Sequence, residues 1–189
     1  MPPAFETGAP HSGTELSNAL GALLAAGSAA LVAQSDSQFF APQGPAWSPA
    51  EHIRHLTQSS APLAQGLRLP RWILRLRFGG GPGRSRSFIE MRDHYLAALA
   101  AGGRASGRFV PFPEAASSAP GERRREIMTE WTRITVELQN AIGRWPESAL
   151  DGLALPHPLL GPLTVREMLA FTVYHTSHHL RRIVERAAA

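Results

Sequence analysis

The sequence predicts an all-α protein, most simply a four-helix bundle with irregular loop and short-helix insertions. Three observations carry that expectation. Apolar residues recur at helical spacing in several long stretches. Two of those stretches open on capping signals, Ser48 with Glu51 and Thr164 with Glu167. No pair of segments alternates apolar and polar residues as two half-buried strands would.

Residues 1–12 are rich in Pro, Gly and Ser and are expected to form a loose N-terminus, with residues 13–189 as a single helical domain. The first helix is expected over about Thr14–Gln34, with Leu16, Leu20, Leu23, Leu24 and Leu31 along it. "SDSQFFAPQGPAW" breaks it with prolines and glycine. Ser48 then suits an N-cap, Pro49 a first helical position and Glu51 the return contact of a capping box. That second helix should reach Leu67, with a kink at Pro62. "PRWILRLRF" (Pro70–Phe78) reads as a short apolar helix, either core or a contact surface for a second copy in a homodimer. "SFIEMRDHYLAALAA" is again helical, and the proline-rich "GGRASGRFVPFPEAASSAPG" is an extended connection. Glu122–Arg144 carries Ile127, Trp131, Ile134, Leu138, Ala141 and Ile142 on one face. "WPESALDGLALPHPLLGPL" is expected to be a loop, and the last helix runs from Thr164 to Arg186.

Composition removes several chemistries. The chain has no cysteine, which excludes disulfides, thiolate ligands and a protein thiol nucleophile. All 19 basic residues are arginine, so a Schiff-base lysine and a P-loop lysine are absent too. A net charge of +4 with an all-arginine basic set gives a high pI without a nucleic-acid motif. "ERRRE" is flanked by glutamates and reads as a solvated helix start. The N-terminus lacks a secretory pattern, and Leu20–Ala33 looks too short and glycine-broken to span a bilayer. The expectation is a cytoplasmic protein with no nucleic-acid or membrane partner.

The stretch "TVYHTSHHLRRI" places His175, His178 and His179 close together. His175 and His179 are one helical turn apart, so their rings can converge on one metal ion. Phe171 and Ile183 extend the same stripe and mark it as inward-facing. His178 lies about a hundred degrees round the helix and flanks the pair. The alternative is two core-edge histidines bonded to backbone or water. Thr176 stands where a zinc protease would carry its glutamate base, so that class is excluded. His52 and His55, in "PAEHIRHL", offer a third ligand from the second helix. Three imidazoles suit zinc first, then nickel or iron(II), and leave coordination positions open. His157 is either a surface-loop residue or one lining the pocket mouth. Tyr174, Trp131 and Trp145 read as packing residues, and His94 as an exposed polar one.

"WSPAEHIRHL" and "LTVREMLAFTVYHTSHHLRRI", with "GRFVP" and "LPHPLLGPLT" between them, resemble the DinB-like (DinB/YfiT) superfamily of metal-binding four-helix-bundle proteins. The family's tryptophan, helix cap and His-Leu pair match Trp47, Ser48, His55 and Leu56, and its terminal HxxxH matches His175 and His179. The resemblance implies a metal triad of His55, His175 and His179, with His52 in reserve. It further implies a transferase or hydrolase in which a divalent metal activates water or a low-molecular-weight thiol, or else a non-catalytic stress-associated binding protein with a structural or vestigial metal site. Many members have a glutamine shortly after the last histidine, where this chain has Arg182.

Overall fold

Capping decides where most of the helices begin. In the computed structural model, which describes residues 5–42, 46–114 and 118–187, reciprocal boxes open five of them. Ser12 and Glu15 start α1 (Gly13–Val32), and Ser35 and Gln38 start α2 (Asp36–Phe40). Ser48 and Glu51 start α3 (Pro49–Gly66), and Ser87 and Glu90 start α5 (Phe88–Ala100). Thr164 and Glu167 exchange backbone contacts of 3.1 and 2.9 Å at the head of α7 (Val165–Ala187). The remaining two, α4 (Arg71–Phe78) and α6 (Pro120–Ile142), lack a side-chain cap; a proline precedes α4 and another opens α6.

The all-α expectation holds. The four long helices touch in a closed cycle, α1 on α6, α6 on α3, α3 on α7 and α7 on α1, and α5 packs on α7. Ile127, Trp131, Ile134, Leu138, Ala141 and Ile142 are all buried, so α6 turns inward the face its periodicity indicated. α7 is buried on nearly every side from Val165 to Leu180. Its small polar residues find backbone acceptors: Thr172 and Thr176 donate to carbonyls one turn back, and Ser177 donates to the Phe5 carbonyl near the other end of the chain.

Several segments depart from expectation. The supposed loop before α7 contains an antiparallel hairpin, β1 (Ala154–His157) with β2 (Gly161–Thr164). Pro156 faces Pro162 across it, a pairing that asks for no N–H from either residue. Gly161 takes φ +72°, and His157 Nδ1 accepts from the Leu159 and Leu160 amides, closing the turn. The stretch after Gln34 forms α2 instead of only breaking α1, because it buries Phe39 and Phe40. The connection "GGRASGRFVPFPEAASSAPG" includes a 3-10 turn at Gly107–Phe109, while its residues 115–117 lie outside the described part. Within the N-terminal segment, expected to be loose, Phe5 is buried and its carbonyl receives Ser177 and Arg181.

α3 continues through Pro62 to Gly66. α1 is long and apolar enough by composition to cross a membrane, contrary to the reading of Leu20–Ala33. Here its Leu16, Leu20, Leu23 and Leu31 are buried, and it packs on α6 and α7. α4 splits the two readings made of it, with Leu74 in the core and Trp72 and Leu76 outside. Arg166 ties the base of α7 to the preceding segments. It is 5% exposed, forks onto Asp151 at 2.7 and 3.0 Å, pairs with Glu147 and donates to the His11 carbonyl.

Candidate metal centre

Two helices bring three imidazoles to one point. α7 supplies His175 and His179 from consecutive turns, and α3 supplies His55 from the facing side. His175 Nε2 lies 3.0 Å from His55 Nε2 and 3.0 Å from His179 Nε2. All three residues are buried, and their ring nitrogens are placed to hold a metal ion.

Proton bookkeeping favours a cation among these nitrogens. His55 Nδ1 lies 2.7 Å from the Phe109 carbonyl, which can only accept, so Nδ1 carries the proton and Nε2 is a bare lone pair. Burial holds the His55 pKa below its ordinary value, against the opposing pull of that carbonyl, and the ring is neutral. Burial, reinforced by the neighbouring imidazoles, pushes His175 and His179 well down as well. If His175 or His179 placed one proton in the shared space, it would bridge one of the two 3.0 Å contacts. Placed on His179, that proton would leave His55 and His175 lone pair against lone pair; placed on His175, it would serve only one of its two neighbours. A divalent ion bound by all three nitrogens removes that conflict, so the donor set fits one.

Neighbouring rings set the orientation. Trp47 lies nearly parallel to His179, at 6.1 Å and 15°. Phe171 stacks on His175 at 5.0 Å and 20°. His52 does not point a nitrogen into the triad. Its Nδ1 lies 2.8 Å from His179 Nδ1, on the far side of that ring. Of His52 and His55, both open in the sequence, the group whose nitrogens converge thus contains His55, while His52 lies against His179.

The triad lies in the wall of a cavity of about 1460 Å³. His178 flanks it as expected, and burial, helped by the charges of Arg182 and Arg181, lowers its pKa to about 4. His157 is half-buried and lines the same cavity; burial lowers it to about 4, followed by the repulsion of His94. Its edge meets Phe171 at 4.4 Å. His94 is half-buried, where exposure was expected. Glu51 caps α3, and Trp131 and Trp145 are core, as read. Tyr174 packs against Phe88, Tyr95 and His178.

Sequence reasoning overlooked Tyr95. It is buried, meets His175 and His178 at 5.8 and 5.9 Å and lines the cavity. Burial, then the neighbouring Tyr174, pushes its pKa up to about 12, so its hydroxyl keeps its proton. Nothing in "RDHYLAAL" marks it out, since its position depends on α5 packing against α7. The Phe109 carbonyl was also missed as a partner of His55, although "GRFVP" was one of the stretches that drew the family comparison.

No curated protein and no solved structure gives a significant match to the chain. The family model described as the DinB superfamily matches residues 19–183, a span that includes all three histidines and most of the chain. The chain therefore belongs to the DinB superfamily.

Proposed function

We propose that this protein is a metal-dependent enzyme in which His55, His175 and His179 hold one divalent ion, zinc first, with nickel or iron(II) as alternatives. The observation that supports this reading most is the convergence of three neutral, buried imidazoles on a large cavity. Such an ion would act as a Lewis acid and lower the pKa of a bound water or of a low-molecular-weight thiol, for hydrolysis or group transfer on a small molecule. The protein's own part is to hold the His55 tautomer through Phe109, to seat His179 against His52 and Trp47, and to offer a protonated Tyr95 hydroxyl nearby. A purely structural metal would need a fourth ligand to close its shell. Among the described residues, the ligand group contains three histidines and no carboxylate.

The test is elemental analysis of protein purified without a histidine tag, beside a His175→Ala/His179→Ala variant. About one ion per chain, lost in the variant, is expected. The loaded protein should then hydrolyse activated esters or transfer a thiol, and the stripped protein should not. Failure to take up zinc, nickel or iron(II) on reconstitution would overturn the reading.

A further inference from the structure

The charge of this protein is not spread evenly. Arg77, Arg104, Arg108 and Arg182 line the cavity that holds the histidines, and none of the described carboxylates does. Over the whole chain 19 arginines face 15 acidic residues. The four cavity arginines therefore equal the entire positive excess, and the other 15 match the acids one for one. The contrast extends to pairing. Eight of the 15 other arginines, Arg54, Arg124 and Arg166 among them, form ion pairs among the described residues, whereas none of these four does.

Placement adds to this. Arg182 is three residues beyond His179 and four beyond His178 on α7, so it sits on the stripe that carries the metal site. Arg108 lies within the 3-10 turn whose Phe109 carbonyl holds His55, and Arg104 lies three residues before that turn. Guanidinium groups thus reach one opening from three separate segments. The rest of the wall is largely apolar, with Leu63, Leu74, Phe78, Leu155, Leu159 and Phe171 among its residues. At about 1460 Å³ the space exceeds what a metal and its waters need, and it is larger than most small-molecule sites.

We infer that the cavity takes a small amphiphilic anion: a carboxylate or phosphate headgroup held by Arg104, Arg108 and Arg182, with an apolar body lying on the leucine and phenylalanine walls. Guanidinium forks suit both headgroups. The acid-free lining would repel no anion, and it would offer no partner to a cation. The inference deepens the proposed function in that it takes this cavity to be the substrate site, but it does not require the metal.

Calorimetric titrations would use octanoate and octyl phosphate, with octanamide and octylammonium as the neutral and cationic counterparts. The subjects are the native protein, chelator-stripped and zinc-loaded, and an Arg104→Gln/Arg182→Gln variant. Both anions should bind at least about tenfold more tightly than octanamide, and octylammonium more weakly still. Rising salt should erode that preference. The arginine variant should keep the native Tm and bind octanoate no better than octanamide. The same preference in stripped protein would support the inference whatever the metal analysis finds. Three results would overturn it: equal binding of octanoate and octanamide, no binding of any of the four, or an octanoate preference that vanishes with zinc yet survives the arginine changes. The last would make the anion a metal ligand and leave the metal reading intact.

Discussion

His179 is held from both edges of its ring. Nε2 faces His175 at 3.0 Å, Nδ1 faces His52 at 2.8 Å, and Trp47 lies along the ring face. A ligand fixed in this way needs little reorganisation to bind, and such supporting contacts typically account for a 10–100-fold difference in metal affinity. In the proposed metal site, His52 would therefore be a positioning residue. His52→Ala should weaken metal binding by about 10–100-fold at an unchanged stoichiometry, measured by competition with a chromophoric chelator. His52→Asn, which keeps a polar group near His179, should recover part of the loss. An affinity equal to that of the native protein would show that the His52–His179 contact does not support the ligand. His55 is held differently. Its partner is a backbone carbonyl, so no side-chain substitution at position 109 removes the contact directly.

Between elements, a close approach lies where α1 crosses α6 and α7. A Cβ built at Gly27 would stand 2.9 Å from both Leu180 and Trp131. Gly→Ala within a helix ordinarily stabilises by about 0.5–1 kcal/mol. Here the added methyl has to displace two buried side chains, and overpacking of that kind costs about 1–3 kcal/mol. Gly27→Ala should therefore destabilise, with the sign read from urea midpoints; a stabilised variant would show that the helices do not meet so closely. Much of this level was legible in the sequence. Capping at Ser48 and Thr164 and the apolar stripe of α6 all depend on neighbours within a turn or two, and all three reappear in the structure. The hairpin was not legible, because Pro156, Pro158 and Pro162 argue against strands. Its four-residue strands depend instead on the turn closed by His157 and on packing against α7. In the same way, His52 and His55 lie three residues apart, and both are 5% exposed. What separates them is the Phe109 carbonyl, 54 residues further along the chain. The sequence alone could nominate either one.

At the scale of the whole molecule, folding gathers five histidines whose pKa values all drop: His55, His157, His175, His178 and His179. Burial is the first cause in every case. Each is a neutral base in the folded chain at pH 7, whereas in the unfolded chain the same rings take up protons near pH 6.5. The unfolded state then binds more protons over the range below 6.5, so stability falls as the pH drops. The loss starts near pH 6.5 and continues down to about 4, where His157 and His178 finally titrate in the folded protein. The carboxylates with lowered values, Glu15, Glu90, Glu147 and Asp151, lose their contribution only at lower pH, from near their ordinary range downward. The interval between pH 6.5 and 5 thus isolates the histidines. His157 is the one to test, since it lies outside the triad and its half-buried ring is screened on its open side. After that screening, it should contribute about 1 kcal/mol of the loss between pH 7 and 5. Urea unfolding of the metal-free protein at the two pH values, native beside His157→Gln, measures it. The native protein should lose more stability on acidification than the variant. Equal losses would mean that the ring beside Phe171 takes up its proton as readily folded as unfolded, and that burial at the mouth of this cavity does not keep it neutral.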